Sequence, residues 1–78
     1  MPTVSFRERF GKNVRKVRVD RGMSQEELAY AANLHRTHIS LIERGLRSVR
    51  VETIERLALA LRVQPAKLMP TVKFSSRP

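Results

Sequence analysis

Residues 22 to 45 read Gly22-Met23-Ser24-Gln25-Glu26-Glu27-Leu28-Ala29-Tyr30-Ala31-Ala32-Asn33-Leu34-His35-Arg36-Thr37-His38-Ile39-Ser40-Leu41-Ile42-Glu43-Arg44-Gly45. Ser24 with Glu27 three positions later forms a capping box. The hydroxyl accepts from a backbone N–H of the first turn, and the carboxylate reaches back to the N–H of the cap. The acids of that turn also complement the positive end of the helix dipole. A helix is therefore predicted from Gln25 to about Ala31. It stops because Ala32-Asn33-Leu34 must redirect the chain, and Asn is the non-glycine residue that most readily takes a positive φ. Another helix, about Arg36 to Arg44, follows at once and ends at Gly45, a glycine behind a cationic residue. The stretch is a helix, a tight turn and a helix.

Working outward, Phe6, Phe10, Val14 and Val17 recur at helical spacing, which predicts a first helix over about Ser5 to Arg21 with those four on its core face. Its other faces carry Arg7, Arg9, Lys12, Arg15 and Lys16, and Gly22 ends it. Beyond the basic loop Leu46 to Arg50, apolar residues at 54, 57, 58 and 61 predict an amphipathic fourth helix over Val51 to Leu61. Pro65 suits the first position of a short fifth helix, about Pro65 to Met69, which returns Leu68 to the core before Pro70 stops it. The expected architecture is all α, a single five-helix domain over residues 5–70. Residues 1–4 and 71–78 are expected to be tails.

The chain has 78 residues, 16 of them Lys or Arg and 7 Asp or Glu, a net charge of +9. A domain of this size removes only about 60% of its unfolded surface from water, which leaves no room for a deep reaction cleft and argues against an enzyme. The 41% hydrophobic content is nevertheless enough for a modest core. With no cysteine there is neither a disulfide framework nor a thiolate metal site, which fits a reducing, cytoplasmic setting. No run is long and apolar enough for a membrane span or a signal peptide. The positive field, reaching about 8 Å at physiological salt, favours a polyanion, with nucleic acid ahead of anionic lipid.

On a wheel of about 100° per residue, Ile39 and Ile42 fall together on the side of the third helix expected to face the core, with His35 between them. Thr37, Ser40, Leu41 and Arg44 gather opposite, flanked by Arg36 and Glu43 on one side and His38 on the other. A major groove about 12 Å wide admits one helix, and a helix presented by a tight turn brings its first residues against base edges. Arg36, Thr37 and His38 are those residues. The guanidinium fork matches the two acceptors of guanine, and threonine offers a hydroxyl or a methyl. The plain alternative is a solvated helix start, and Leu41 is either a thymine-methyl or sugar contact or an ordinary exposed leucine.

With these residues in view, Gly22-Met23-Ser24-Gln25-Glu26-Glu27-Leu28-Ala29, Ala32-Asn33-Leu34 and Ile39-Ser40-Leu41-Ile42-Glu43-Arg44-Gly45 resemble the Xre / lambda-repressor-like helix-turn-helix family over about Phe10 to Leu68. His35 to Ser40 with Arg47-Ser48-Val49 is similar to controller proteins of restriction-modification systems. The resemblance implies a transcription regulator that binds a palindromic operator in double-stranded DNA as a homodimer. It implies base reading by Arg36, Thr37, His38, Ser40 and Leu41, and phosphate binding by Ser24, Gln25, Arg44, Arg47 and Arg50. It further implies a structural ion pair between Arg18 and Glu43. The chain departs from the family where Asn33 replaces a usual Gly, Arg50 a usual Ser or Thr cap, and Leu41 a usually polar reader, which touches operator preference and not the fold.

Leu59 lies off the core face of the fourth helix, so a dimer interface of Leu59, Val63 and Leu68 is expected. Pairing through helices four and five would set two reading helices about 34 Å apart, one turn of DNA. RNA polymerase is a further partner of a regulator that acts by polymerase contact, while steric occupancy is the other mode. No cofactor, metal or small-molecule ligand is expected: His35 and His38 lack further ligands, and Ser40, His38 and Glu43 share one short helix that cannot align a triad. The rival reading is a protein-interaction module, such as an antitoxin component or an adaptor.

Overall fold

Five helices make up the computed structural model, which describes residues 4–74: α1 Phe6–Asp20, α2 Gln25–Ala32, α3 Arg36–Glu43, α4 Val51–Leu61 and α5 Pro65–Leu68. Positions 1–3 and 75–78 of the expected tails lie outside the described residues. Both α1 and α2 start in capping boxes, Ser5 with Glu8 and Ser24 with Glu27. Hydrogen bonds from the Ser5 backbone N–H, then the Ser5 side chain, hold the Glu8 carboxyl below the usual carboxylate range. At the other end of α2, Asn33 adopts the left-handed conformation, φ 56° and ψ 47°, and the Leu34 N–H donates to the Ala29 carbonyl at 2.8 Å. Gly45, at φ 70°, ends α3 in the same region of conformational space.

The core is built from one face of every helix: Phe10, Val14 and Val17 of α1, Leu28, Ala29 and Ala32 of α2, Ile39 and Ile42 of α3, Leu57, Ala58 and Leu61 of α4, and Leu68 of α5. α3 packs against both α1 and α2, α2 also rests on α4, and α5 closes the gap between α1 and α4. Phe6 departs from the expected core stripe. It is 41% exposed, lies under the Arg9 guanidinium, 5.6 Å from its ring centroid, and lines an open recess with Val49, Ile54 and Met69 that no side chain fills. Another departure is the end of α4, where Arg62 takes φ 60°, a left-handed cap without glycine. Left-handed conformation costs an L-residue roughly 1–2 kcal/mol, and no turn signal in the sequence announces it.

α1 and α3 meet at Gly11. A Cβ there would collide with the carbonyl oxygens of Ile42 and Glu43, the latter at 2.8 Å, so only a bare backbone allows the crossing. Gly11→Ala is accordingly expected to destabilise the domain by about 1–3 kcal/mol through overpacking. At about 4–8 °C per kcal/mol for a domain this small, the change is read directly as a fall in Tm.

Candidate nucleic-acid interface

The exposed start of α3 is prepared by its cap. His35 lies outside the helical region, at φ −77° and ψ 145°, and its Nδ1 accepts from the Thr37 backbone N–H at 3.1 Å. This corrects the expectation that His35 shares the core side with Ile39 and Ile42. A cap residue does not follow the helical wheel, and its side chain turns back over the first turn instead. Arg36 and Thr37 then stand exposed, while His38, Ser40 and Leu41 are half-buried. Behind them Ile39 and Ile42 are fully buried, so the helix presents a polar front on an anchored apolar back.

What holds that back in place is a bidentate ion pair. Arg18 Nε donates to Glu43 Oε2 at 2.6 Å and Arg18 Nη2 to Glu43 Oε1 at 3.0 Å, while Nη1 donates to the Met23 carbonyl at 2.8 Å. The two residues are 8% and 6% exposed. Gln25 joins them, its Nε2 donating to Glu43 Oε1 at 3.1 Å. The carboxamide expected to meet a phosphate is thus turned inward toward the ion pair. The side chain is half-buried at the start of α2 and ties that helix to α3. Sequence spacing gave no hint of this second role, since the partners are 18 positions apart.

The expected phosphate-binding residues divide by position. Ser24 accepts from the Glu27 N–H at 3.0 Å within its capping box, which leaves its hydroxyl proton available for a second partner. Arg44, Arg47 and Arg50 are exposed, and Arg44 Nε bonds back to the Ser40 carbonyl at 3.4 Å. Arg50 is the cap of α4 but makes no capping hydrogen bond, so its guanidinium is uncommitted to that helix. His38 lines a cavity of about 250 Å3 together with Arg47, Ser48, Val49, Arg50 and Thr53. Burial, and then the Arg47 guanidinium, hold its imidazole below the ordinary histidine value.

The expected dimer residues separate. Leu59 is 72% exposed and Val63 half-buried, but Leu68 is completely buried within its own protomer. Leu68 has no surface to offer a second copy: α5 turns it inward, and Asn13 Nδ2 fixes its carbonyl at 2.9 Å. Val51, at the start of α4, adds exposed apolar surface that the sequence reading did not single out.

Two successive helices joined at a left-handed asparagine, the second exposed at its amino end and locked from behind, define the helix-turn-helix class. The chain belongs to the helix-turn-helix family HTH_3, whose model matches residues 14–68. Among its relatives, the control protein C.BamHI of Bacillus amyloliquefaciens is 48% identical over 68 residues, which span 86% of this chain and 84% of that protein. The control protein C.SmaI of Serratia marcescens is 39% identical over 66 residues, 85% and 79% of the respective chains. The fold is similar to the crystal structure of the restriction-modification controller protein C.AhdI from Aeromonas hydrophila, with TM-score 0.78 and 39% identity over 80% of this chain and 94% of that one. It is also similar to the controller protein C.Esp1396I, solved as a tetramer in complex with its natural 35 base-pair operator, with TM-score 0.77 and 33% identity over 85% and 87%.

Removing one partner of a buried pair leaves an uncompensated charge, so Glu43→Ala is expected to lose about 3–5 kcal/mol, whereas Arg18→Met with Glu43→Leu loses far less. Urea unfolding of the two variants checks this, and a single variant as stable as the wild type would contradict it.

Proposed function

We propose that this protein is a sequence-specific transcription regulator that binds a palindromic operator in double-stranded DNA as a homodimer, in the manner of restriction-modification control proteins. The observation that carries the proposal is the combination at α3. Arg36 and Thr37 stand exposed on a helix whose back is buried and whose far end is clamped by Arg18, with Arg44, Arg47 and Arg50 beside it. Such a helix enters a major groove as a fixed body, which direct reading of base edges requires.

In this reading Arg36 and Thr37 read bases, with Ser40 and Leu41 in contact deeper along the groove. Ser24, Arg44, Arg47 and Arg50 hold the sugar-phosphate backbone, and Gln25 approaches a phosphate through its backbone N–H while its side chain holds Glu43. Phosphate contacts fix the register and carry no sequence information, so the two sets differ in kind. Leu59 and Val63, with Val51, contribute to the surface that pairs two copies, and RNA polymerase is the protein partner at a promoter. The relative solved on its operator supports a DNA target.

Selection of bound duplexes from a random pool tests the proposal, and enrichment of a palindrome is the expected result. Recovery of a tight protein partner without any duplex enrichment would favour an interaction module instead. Arg36→Ala is expected to lose about 1–3 kcal/mol concentrated at one base position, and Arg47→Ala to weaken all sequences alike. If each protomer neutralises about four phosphates, the dimer's affinity falls with a log-log salt slope near −7. A flat salt response would count against the backbone anchors.

A further inference from the structure

Between α3, the loop that follows it and the start of α4 lies a cavity that base reading does not use. Its volume is about 250 Å3, and at ~30 Å3 per water it accommodates a phosphate group with several waters. The lining is electrostatically one-sided: Arg47 and Ser48 come from the loop, Arg50 from the cap of α4, Thr53 from α4 and His38 from α3, with no carboxylate among them. Thr53 is buried, at 8% exposure, which makes its end of the cavity a built wall.

His38 is the member of this set whose charge changes near neutral pH. The charged groups that line the space with it are Arg47 and Arg50, both cationic, and the nearest acid on its own helix, Glu43, is committed to Arg18 on the buried side. In the free protein, burial and Arg47 therefore favour the neutral imidazole. An anionic oxygen placed among these groups reverses the balance. It offsets the guanidinium field and gives the protonated ring an acceptor for a charge-assisted hydrogen bond.

We propose that DNA binding by this protein takes up a proton at His38, and that the imidazolium so formed joins Arg47 and Arg50 in holding a backbone phosphate at the cavity. The inference rests on the DNA-binding reading above and moves His38 from the base readers to the anchors. The sign of the coupling follows from which state binds more protons. The free protein holds His38 below its ordinary value and the complex holds it above. Between those two limits the complex carries the extra proton, and affinity rises as pH falls. The rise ends once His38 is protonated in both states. Each unit of separation is worth about tenfold in affinity per protomer.

The test uses the full chain and duplex DNA of random sequence, since a phosphate contact does not require an operator. Affinity is measured at about pH 8 and about pH 6 at fixed salt for the wild type and His38→Gln, with circular dichroism to confirm folding. The wild type is expected to bind roughly tenfold tighter or more at the lower pH, and His38→Gln to lose most of that gain. Independently of any variant, the histidine ring signals of the wild type are titrated by NMR alone, with inorganic phosphate and with the duplex. An upward shift of the His38 midpoint with the duplex supports the proposal. The same shift with phosphate assigns the effect to the oxyanion, and a shift with the duplex alone assigns it to the DNA backbone. An unmoved or lowered midpoint, or full pH dependence retained by His38→Gln, overturns it while leaving DNA binding intact. Absence of duplex binding at either pH would overturn the DNA reading together with this inference.

Discussion

Two positive donors of Arg18 grip both oxygens of the Glu43 carboxylate in a region from which water is almost excluded, and a third donor of the same guanidinium takes the Met23 carbonyl. Moving either charge out of water costs several kcal/mol, and the fork geometry offsets that cost only if every donor and oxygen is placed at once. That condition makes the pair a constraint on three elements. Arg18 belongs to α1, Met23 to the turn before α2, and Glu43 to the last residue of α3. Gln25 adds α2 through the same carboxylate. The angle between the two helices of the motif is consequently set by hydrogen bonds as well as by the apolar contacts of Leu28, Ile39 and Ile42.

Gly11 belongs to the same arrangement. Gly11, Val14 and Arg18 are spaced by three and four residues, so they form one stripe along α1. The stripe meets α3 with a bare backbone at one end, a buried valine in the middle and the guanidinium at the other. Without the close approach at Gly11, α1 and the end of α3 would stand further apart and the short bonds at Arg18 would lengthen. Local backbone space and buried electrostatics are thus two halves of one interface.

How much of this was legible in the sequence depends on the range of the interactions involved. The capping box at Ser24, the left-handed turn at Asn33 and the amphipathic period of α4 act within a few residues, so composition and spacing expose them. The ion pair was reached through family resemblance, because 25 positions separate its members. Gly11 carries no local signal, since its reason lies on another helix. Arg62 was missed because its left-handed cap has no glycine or asparagine to mark it. Leu68 carries two incompatible expectations, core and dimer surface; a single side chain cannot serve both, and burial decides for the core. His35 and Phe6 show a further limit of the wheel: it describes direction around an axis, and says nothing of where a helix begins or how closely the residues opposite pack.

Three further polar bonds from α1 and its cap residue reach the ends of α4 and α5. Asn13 holds the Leu68 carbonyl, Arg21 Nη2 the Arg62 carbonyl at 3.1 Å, and Arg9 Nη1 the Thr71 carbonyl at 2.7 Å. Each acceptor lies at or beyond the end of α4 or α5, where backbone carbonyls have lost their helical partners and a cationic or amide donor is favourable. The bond to Arg62 also fastens the residue whose backbone is strained. Part of the large positive charge of α1 is thereby spent on internal capping and is not simply a field for DNA. It follows that α1 is the common frame. One stripe of the helix places α3, and its polar side chains place the ends of α4 and α5 that border Leu59 and Val63. In a two-fold dimer built on that surface, the separation of the two reading helices would be transmitted through this single helix. The half-site spacing would then depend on the rigidity of α1 as much as on the pairing contacts themselves.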